Sequence, residues 1–293
     1  MKKKLLDHLN ISPVLKDHCY NLTTDNFDEY LFFDGIGYNS TQGQSYHYPH
    51  KPFLVPLLLN WDWPGTLCYA IHFFLKRQPS FVLRYHDNSF ETREIAFNFK
   101  QLVAYYTILS RELNLFKAAG GVHNRVKELG FGFYEDIDKF IGEYGVFTEE
   151  AYHLDFFREN LPIESCKYPK DYTGSAFAND TFYVKNNIYE VCTYEVNKVT
   201  FFNEIREQLK ADFPKWLTPK INQQELFDSY YAKNELDKAW LSLNSYGWGL
   251  KDTAWALDQL KKKTNDKTFH LVADNWVDEW KKSDYAQNDS III

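Results

Sequence analysis

The stretch Tyr46–Gln78, YHYPHKPFLVPLLLNWDWPGTLCYAIHFFLKRQ, is the densest apolar and aromatic part of the chain, and it constrains the fold more than any other segment. It holds two apolar runs, Phe53–Leu59 and Leu67–Leu75, separated by the corner Asn60-Trp61-Asp62-Trp63-Pro64-Gly65. A membrane-spanning helix needs roughly 20 consecutive apolar residues, which neither run approaches, and Asp62 and the prolines would sit at mid-bilayer. The stretch therefore reads as two buried elements of a soluble core, folded back on each other at Pro64-Gly65.

Around this stretch the periodicity is mainly helical. Leu5 and Leu9, then Phe27, Tyr30 and Leu31, fall at helical spacing, with Asp25 as a candidate N-cap. DGIGYNSTQGQ, Asp34–Gln44, reads as a loop. Ser80–His86 alternates as a strand does, although a short helix fits as well. Glu94–Leu115 reads as a helix with Leu102, Tyr106, Leu109, Leu113 and Phe116 on one face, ended by Gly120-Gly121. Two shorter helices flank Gly130-Phe131-Gly132, and Thr148 is placed to cap the next helix, which Pro162 closes. Thr181–Lys185 and Ile188–Tyr194 form a hairpin pattern about Asn186-Asn187. Further on, Asn222-Gln-Gln-Glu225 resembles a capping box. Leu236, Ala239, Trp240 and Leu243 make a stripe, Asp252 is placed to cap a helix through Leu260, and Phe269, Val272, Trp276 and Trp280 make the last stripe. The tail after Lys282 reads as loose. The expected class is α+β, predominantly helical with one small antiparallel β element. Gly120-Gly121 is the candidate boundary between an N-terminal part, residues 1–120, and a C-terminal α+β part, residues 121–293, unless the two are one continuous domain.

Composition narrows the function classes. A net charge of −7 argues against a nucleic-acid or anionic-membrane binder and is compatible with a basic protein partner. Aromatic residues are 18% of the chain, which suits either a bulky core or partner contact. The start, MKKKLLDHLN, has a basic tip but no apolar run behind it, so no secretory signal is expected and the sequons at Asn10, Asn21, Asn39 and Asn179 read as chance. Cys19, Cys68, Cys166 and Cys192 lack Cys-x-x-Cys spacing, which points to reduced thiols in a cytoplasmic protein.

No catalytic motif is present. His47-Tyr-Pro-His50 offers two imidazoles, but Pro49 extends the segment and further ligands are missing, so no metal and no cofactor is expected. His153 lies beside Asp155, Glu149 and Glu150, a base near carboxylates that equally describes a solvated helix face. Gly130-Phe131-Gly132 lacks the third glycine of a dinucleotide loop. Cys68 in Tyr-Cys-Leu order reads as inert and buried. Trp61, Trp63, Trp248 and Trp255 could line an interface or pack the core.

Residues 127–212 carry a resemblance to a known family. KELGFGFYEDIDKFIGEYG, then FYVKNNIYEVCTY, then FFNEIREQLKADF, is similar to the order of the SUKH superfamily, in which a short helical segment ending in Asn/Glu-x-Gly precedes a small sheet and a closing helix. The resemblance covers under a third of the chain. It departs from the pattern where Phe133-Tyr134 replaces the usual proline before the second helix, and the sheet is short. Many bacterial members are immunity proteins that bind and neutralise toxins delivered between competing cells, and the resemblance implies no catalytic residue.

Two function classes follow. The first is a cytosolic binding protein, of the immunity type, that neutralises a cognate basic toxin. Its expected binding residues are Tyr134, Glu135, Asp136, Asp138, Tyr144, Glu149, Glu150 and Tyr152, the densest acidic group near aromatics. The second is an enzyme with dispersed residues, using acids near His153 or the His47/His50 pair.

Overall fold

The first apolar run and the start of the second, Leu67–Ala70, lie side by side as antiparallel strands in the computed structural model of the chain. The structure describes residues 2–21, 38–40, 49–60, 65–85, 92–112, 124, 126–162, 165, 182–185, 188–191, 215–217, 221–245 and 247–287. The expected helices around Phe27–Leu31, the caps at Asp25 and Gly120-Gly121, Trp61, Trp63, His47, Cys166, Cys192, and the segment FFNEIREQLKADF lie outside the described residues.

The sheet is a five-stranded antiparallel meander in the order β1 (Tyr38–Ser40), β2 (Leu54–Asn60), β3 (Gly65–Ala70), β4 (Ser80–Tyr85), β5 (Thr92–Ala96). Asn60 pairs with Gly65, so the chain does reverse at the corner expected for it. Pro56 is tolerated inside β2 for two reasons. The register slips between Pro56 and Leu58, and β1 pairs only with Leu58, Leu59 and Asn60, so the proline sits at a bulge where β2 borders no described strand on that side. Every residue of β3 is buried, which means both faces of the sheet are covered at this strand and explains why Leu67–Ala70 is apolar without alternation. Each large apolar side chain so buried contributes roughly 1.5–3 kcal/mol.

Helices cover the sheet. α1 (Lys2–His8) and α2 (Pro13–Asn21) bring Leu5, Leu6, Leu9 and Leu15 into the core, and the Tyr69 hydroxyl donates to Asn10 O at 3.3 Å. Burial pushes the Tyr69 hydroxyl up to about 12. α3 (Phe99–Glu112) follows β5 directly. The helix expected from Glu94 is therefore a strand and then a helix. Asn98 makes the break, its Oδ1 accepting from Gln101 N at 2.9 Å as an N-cap. The face expected for α3 is the buried one through Leu102, Tyr106 and Leu109.

α4 (Tyr134–Tyr144), a 3₁₀ segment (Thr148–His153) and α5 (Asp155–Arg158) come next. Thr148 is not a side-chain cap: the segment has none, and Thr148 is buried with its carbonyl accepting from Ser165 Oγ at 3.4 Å. The hairpin β6 (Phe182–Lys185) and β7 (Ile188–Val191) forms as its alternation predicts. The C-terminal part is helical: α6 (Gln223–Ala232), α7 (Leu236–Leu243), α8 (Leu250–Lys261) and α9 (Lys267–Lys282). Asn222 caps α6, accepting from Gln224 N and Glu225 N, and Glu225 answers by accepting from Asn222 Nδ2 at 2.8 Å. Asp252 does not cap α8; Gly249 does, and Asp252 lies in the first turn where its charge suits the helix dipole. Of the tail, residues 283–287 are described, and they are held: Ser283 is buried, its hydroxyl donates to Trp280 O at 2.8 Å, and Tyr285 packs against the core.

Sheet and C-terminal helices are joined by directed hydrogen bonds. Phe53 N donates to Asn244 Oδ1 at 2.9 Å, and the same amide donates from Nδ2 to Trp240 O at 2.8 Å. Trp276 Nε1 donates to His50 O at 2.8 Å. A buried amide N–H left without its acceptor costs about 1–3 kcal/mol. Asn244→Ala is thus expected to lower the unfolding free energy by about that amount in chemical denaturation, while Asn265→Ala, at an exposed position before α9, serves as the control. A loss below ~0.5 kcal/mol at Asn244 would show that this bond does not fasten the two layers.

Candidate functional site

The acidic residues singled out by sequence fall on α4 and on the segment Thr148–Arg158 that follows it. α4 turns Tyr134, Ile137 and Phe140 inward and leaves Glu135, Asp136 and Asp138 facing out, as a spacing of three and four requires. Glu135 and Asp136 occupy its first turn, where the exposed N–H groups favour negative charge. Gly145 ends the helix at φ +82°, a left-handed conformation that suits glycine, and its N–H donates to Ile141 O.

The structure divides the expected binding residues into three kinds. Tyr134 is a core residue, only 8% exposed, whose hydroxyl accepts from Arg111 Nη2 at 2.5 Å. Desolvation raises its pKa, against the opposing pull of the Arg111 guanidinium. The same Arg111 nitrogen reaches Asp138 Oδ1 at 2.5 Å, so Asp138 is exposed but paired. Glu135, Asp136 and Glu149 are exposed carboxylates. Tyr144, Glu150 and Tyr152 belong to a half-buried cluster about His153. Tyr144 stacks on the His153 ring with centroids 3.9 Å apart and planes 7° apart, and Tyr152 lies 4.2 Å away. Glu150 Oε2 stands 3.5 Å from His153 Nε2. A hydrogen bond with the Glu143 carboxylate is the main cause that raises the Tyr144 hydroxyl pKa.

This face is held by residues that the sequence reading passed over. Gln101 is fully buried; its Oε1 accepts from Phe97 N at 2.8 Å, and its Nε2 donates to Asn160 O at 2.7 Å and Phe156 O at 3.2 Å. Gln78 Nε2 donates to Asn160 Oδ1 at 2.9 Å. Phe131, Phe133 and Phe156 run as a stack with centroids 5.2 and 5.1 Å apart, and the Lys100 ammonium lies 4.5 Å above Phe156. The bonds of Gln101 to Phe156 and Asn160 and of Gln78 to Asn160 join positions far apart in sequence, so no local pattern announces them.

The remaining candidates are spread through the molecule. His50 is buried, 3.6 Å from Glu279. Trp248 is core, 1% exposed, and donates to Ser242 O at 2.7 Å, whereas Trp255 is 40% exposed. Cys68 is buried, its thiol near Thr66 O. Among the described residues no group of three or more His, Cys, Asp or Glu side chains could hold a metal ion, and no helix is long and apolar enough to cross a membrane.

No family model, no curated protein and no solved structure matches the chain.

Because Tyr134 packs inward, its truncation acts on the fold. Tyr134→Ala is expected to cost about 3–5 kcal/mol, the range for removing a large buried aromatic, while Tyr134→Phe, which keeps the ring and loses the Arg111 contact, should cost about 1–2 kcal/mol. Thermal and chemical denaturation of both variants check this, and equal losses would place the ring outside the core.

Proposed function

We propose that the chain is a protein-binding module of the immunity type, acting in the cytoplasm, which seats a basic protein partner on the face made by α4 and residues 148–158. The supporting observation is the combination on that face of exposed carboxylates, Glu135, Asp136 and Glu149, with half-buried rings, Tyr144 and Tyr152, on a backbone fastened to the core through Gln101. Such a surface loses little conformational freedom on binding, because its support is already ordered. The net charge of −7 favours encounter with a positively charged surface. The resemblance of residues 127–212 to the SUKH superfamily supplies the toxin-neutralising part of the reading. The buried thiols Cys19 and Cys68, unlinked to each other, fit a reducing compartment. Tyr134 lies in the core, so the anchoring rings of this face are Tyr144 and Tyr152, which are half-buried.

The test begins with the chain immobilised and a partner captured from the source cell, followed by binding kinetics. The variant Glu135→Ser/Asp136→Ser/Glu149→Ser is expected to slow association several-fold at low salt and to flatten its salt dependence, because rim charges act on encounter. Tyr144→Ala is expected to raise the dissociation rate by about tenfold, equivalent to ~1.4 kcal/mol. Asp138 stays in place in these variants, since it holds Arg111. A captured partner that binds both variants like wild type is not held by this face.

A further inference from the structure

The segment between β3 and β4 gathers three unusual features within a few residues. Phe73 and Phe74 plug between two rings of the C-terminal helices: Phe73 lies 5.6 Å from Trp240 and 5.0 Å from Phe269, and Phe74 lies 6.3 and 5.2 Å from the same two, all edge-on. Phe74 does this at φ +66°, a left-handed conformation that a bulky residue adopts only when its surroundings hold it there. On one side of the plug His72 is buried, its ring stacked on Phe53 at 4.8 Å. On the other, Arg77 Nη2 meets Glu94 Oε2 at 3.3 Å, with both side chains 3% exposed.

We propose that residues 72–77 are an acid-released clasp, which fastens the sheet to the C-terminal helices while His72 is neutral and lets go when His72 takes up a proton. The geometry supplies each part. The two rings are the fastening, the left-handed Phe74 is backbone strain that opening relieves, and His72 is the trigger. A proton on His72 would add a second cation beside Arg77 in the buried interior, where charge is most costly. Burial first, and the Arg77 charge second, hold the His72 imidazole well below its ordinary pKa. The sign follows from that. A depressed base binds fewer protons folded than released, so the closed form is fully favoured above pH ~6.5 and loses ground as pH falls. The other charged and titratable groups about the clasp are the exposed Lys76 and the buried Arg77 on the same segment, Glu94 on β5, His50 on the segment that carries Phe53, its partner Glu279 on α9, and His270 beside Phe269. Substitution at His72 separates its contribution from theirs.

Hydrogen exchange read by mass spectrometry on the full chain, from pH 7.5 to 5.0 and corrected for the intrinsic rate, tests the clasp. Peptides covering residues 71–79 and 236–243 are expected to open about tenfold more per pH unit below pH ~6.5, the slope of one proton, while β2 and the centre of β3 keep their protection. His72→Phe, which retains the stack on Phe53, and His72→Gln should both flatten the profile. A flat wild-type profile at 71–79 overturns the proposal. So does a rise shared equally by all peptides, which is global unfolding, or a wild-type slope retained in either variant. If one variant does not fold, the wild-type profile and the other variant still decide.

Discussion

The arrangement of the molecule depends on how the backbone entering β2 is held. Over residues 49–53 three consecutive demands are met from three directions: Arg84 donates to Pro49 O at 2.7 Å, Trp276 to His50 O at 2.8 Å, and Asn244 accepts from Phe53 N at 2.9 Å. The bonds at His50 and Phe53 are in the interior, where an unmet donor or acceptor carries the full cost of lost hydration, and the one at Pro49 is part-buried. The apolar runs supply the drive to collapse, but burial is non-directional and would tolerate many placements of the helices over the sheet. These bonds are directional. They select one placement, in which the C-terminal cap of α7 and the middle of α9 meet the segment that leads into β2.

The acidic face inherits its position from the same logic. α4 packs beside α3, and α3 is anchored at its start by the Asn98 cap and by Gln101, which reaches across to Phe156 O and Asn160 O. A buried glutamine has a donor and an acceptor to satisfy, and here each is used to hold a different element. The result is that residues 155–160, with no long helix of their own, are tied to the sheet edge. Rigid support of this kind is what lets a surface present charge in one geometry.

Much of this architecture was legible in the sequence, and the parts that were not share a cause. The reversal at Pro64-Gly65, the hairpin about Asn186-Asn187, the Asn222 cap and the stripe of α9 are written in neighbouring residues, so local reading finds them. The strand at Thr92–Ala96 was absorbed into a helix because Glu94 and Ile95 suit either period and the break depends on Asn98, one short side chain. Asp252 reads as a cap in the sequence because an acid near a helix start serves equally well one turn inside it. Tyr134 stands among acids in the sequence, but it shares the inward face of α4 with Ile137 and Phe140, and its hydroxyl meets Arg111 on a different helix. The exposed carboxylates of the candidate face were found from composition, but which aromatics accompany them depends on contacts between residues 9 to 55 positions apart, as in Tyr144 with His153 and Gln101 with Phe156.

The distribution of charge gives the two halves of this structure different characters. A buried ion pair such as Arg77–Glu94 adds little net stability over an apolar pair of the same shape, because both ions lose their water. Its effect is on arrangement, since misplacing either partner strands a charge. Surface acids carry the opposite balance. They keep their hydration, and on α4 the first-turn N–H groups favour Glu135 and Asp136, while Arg111 takes up Asp138. An acidic face built at a helix start therefore costs the fold little, and removing its charge should leave the core as it is. Charge that the fold does not require, held on a frame that the fold does require, is the physical basis for reading this face as a place of contact and the clasp at His72 as part of the fold itself.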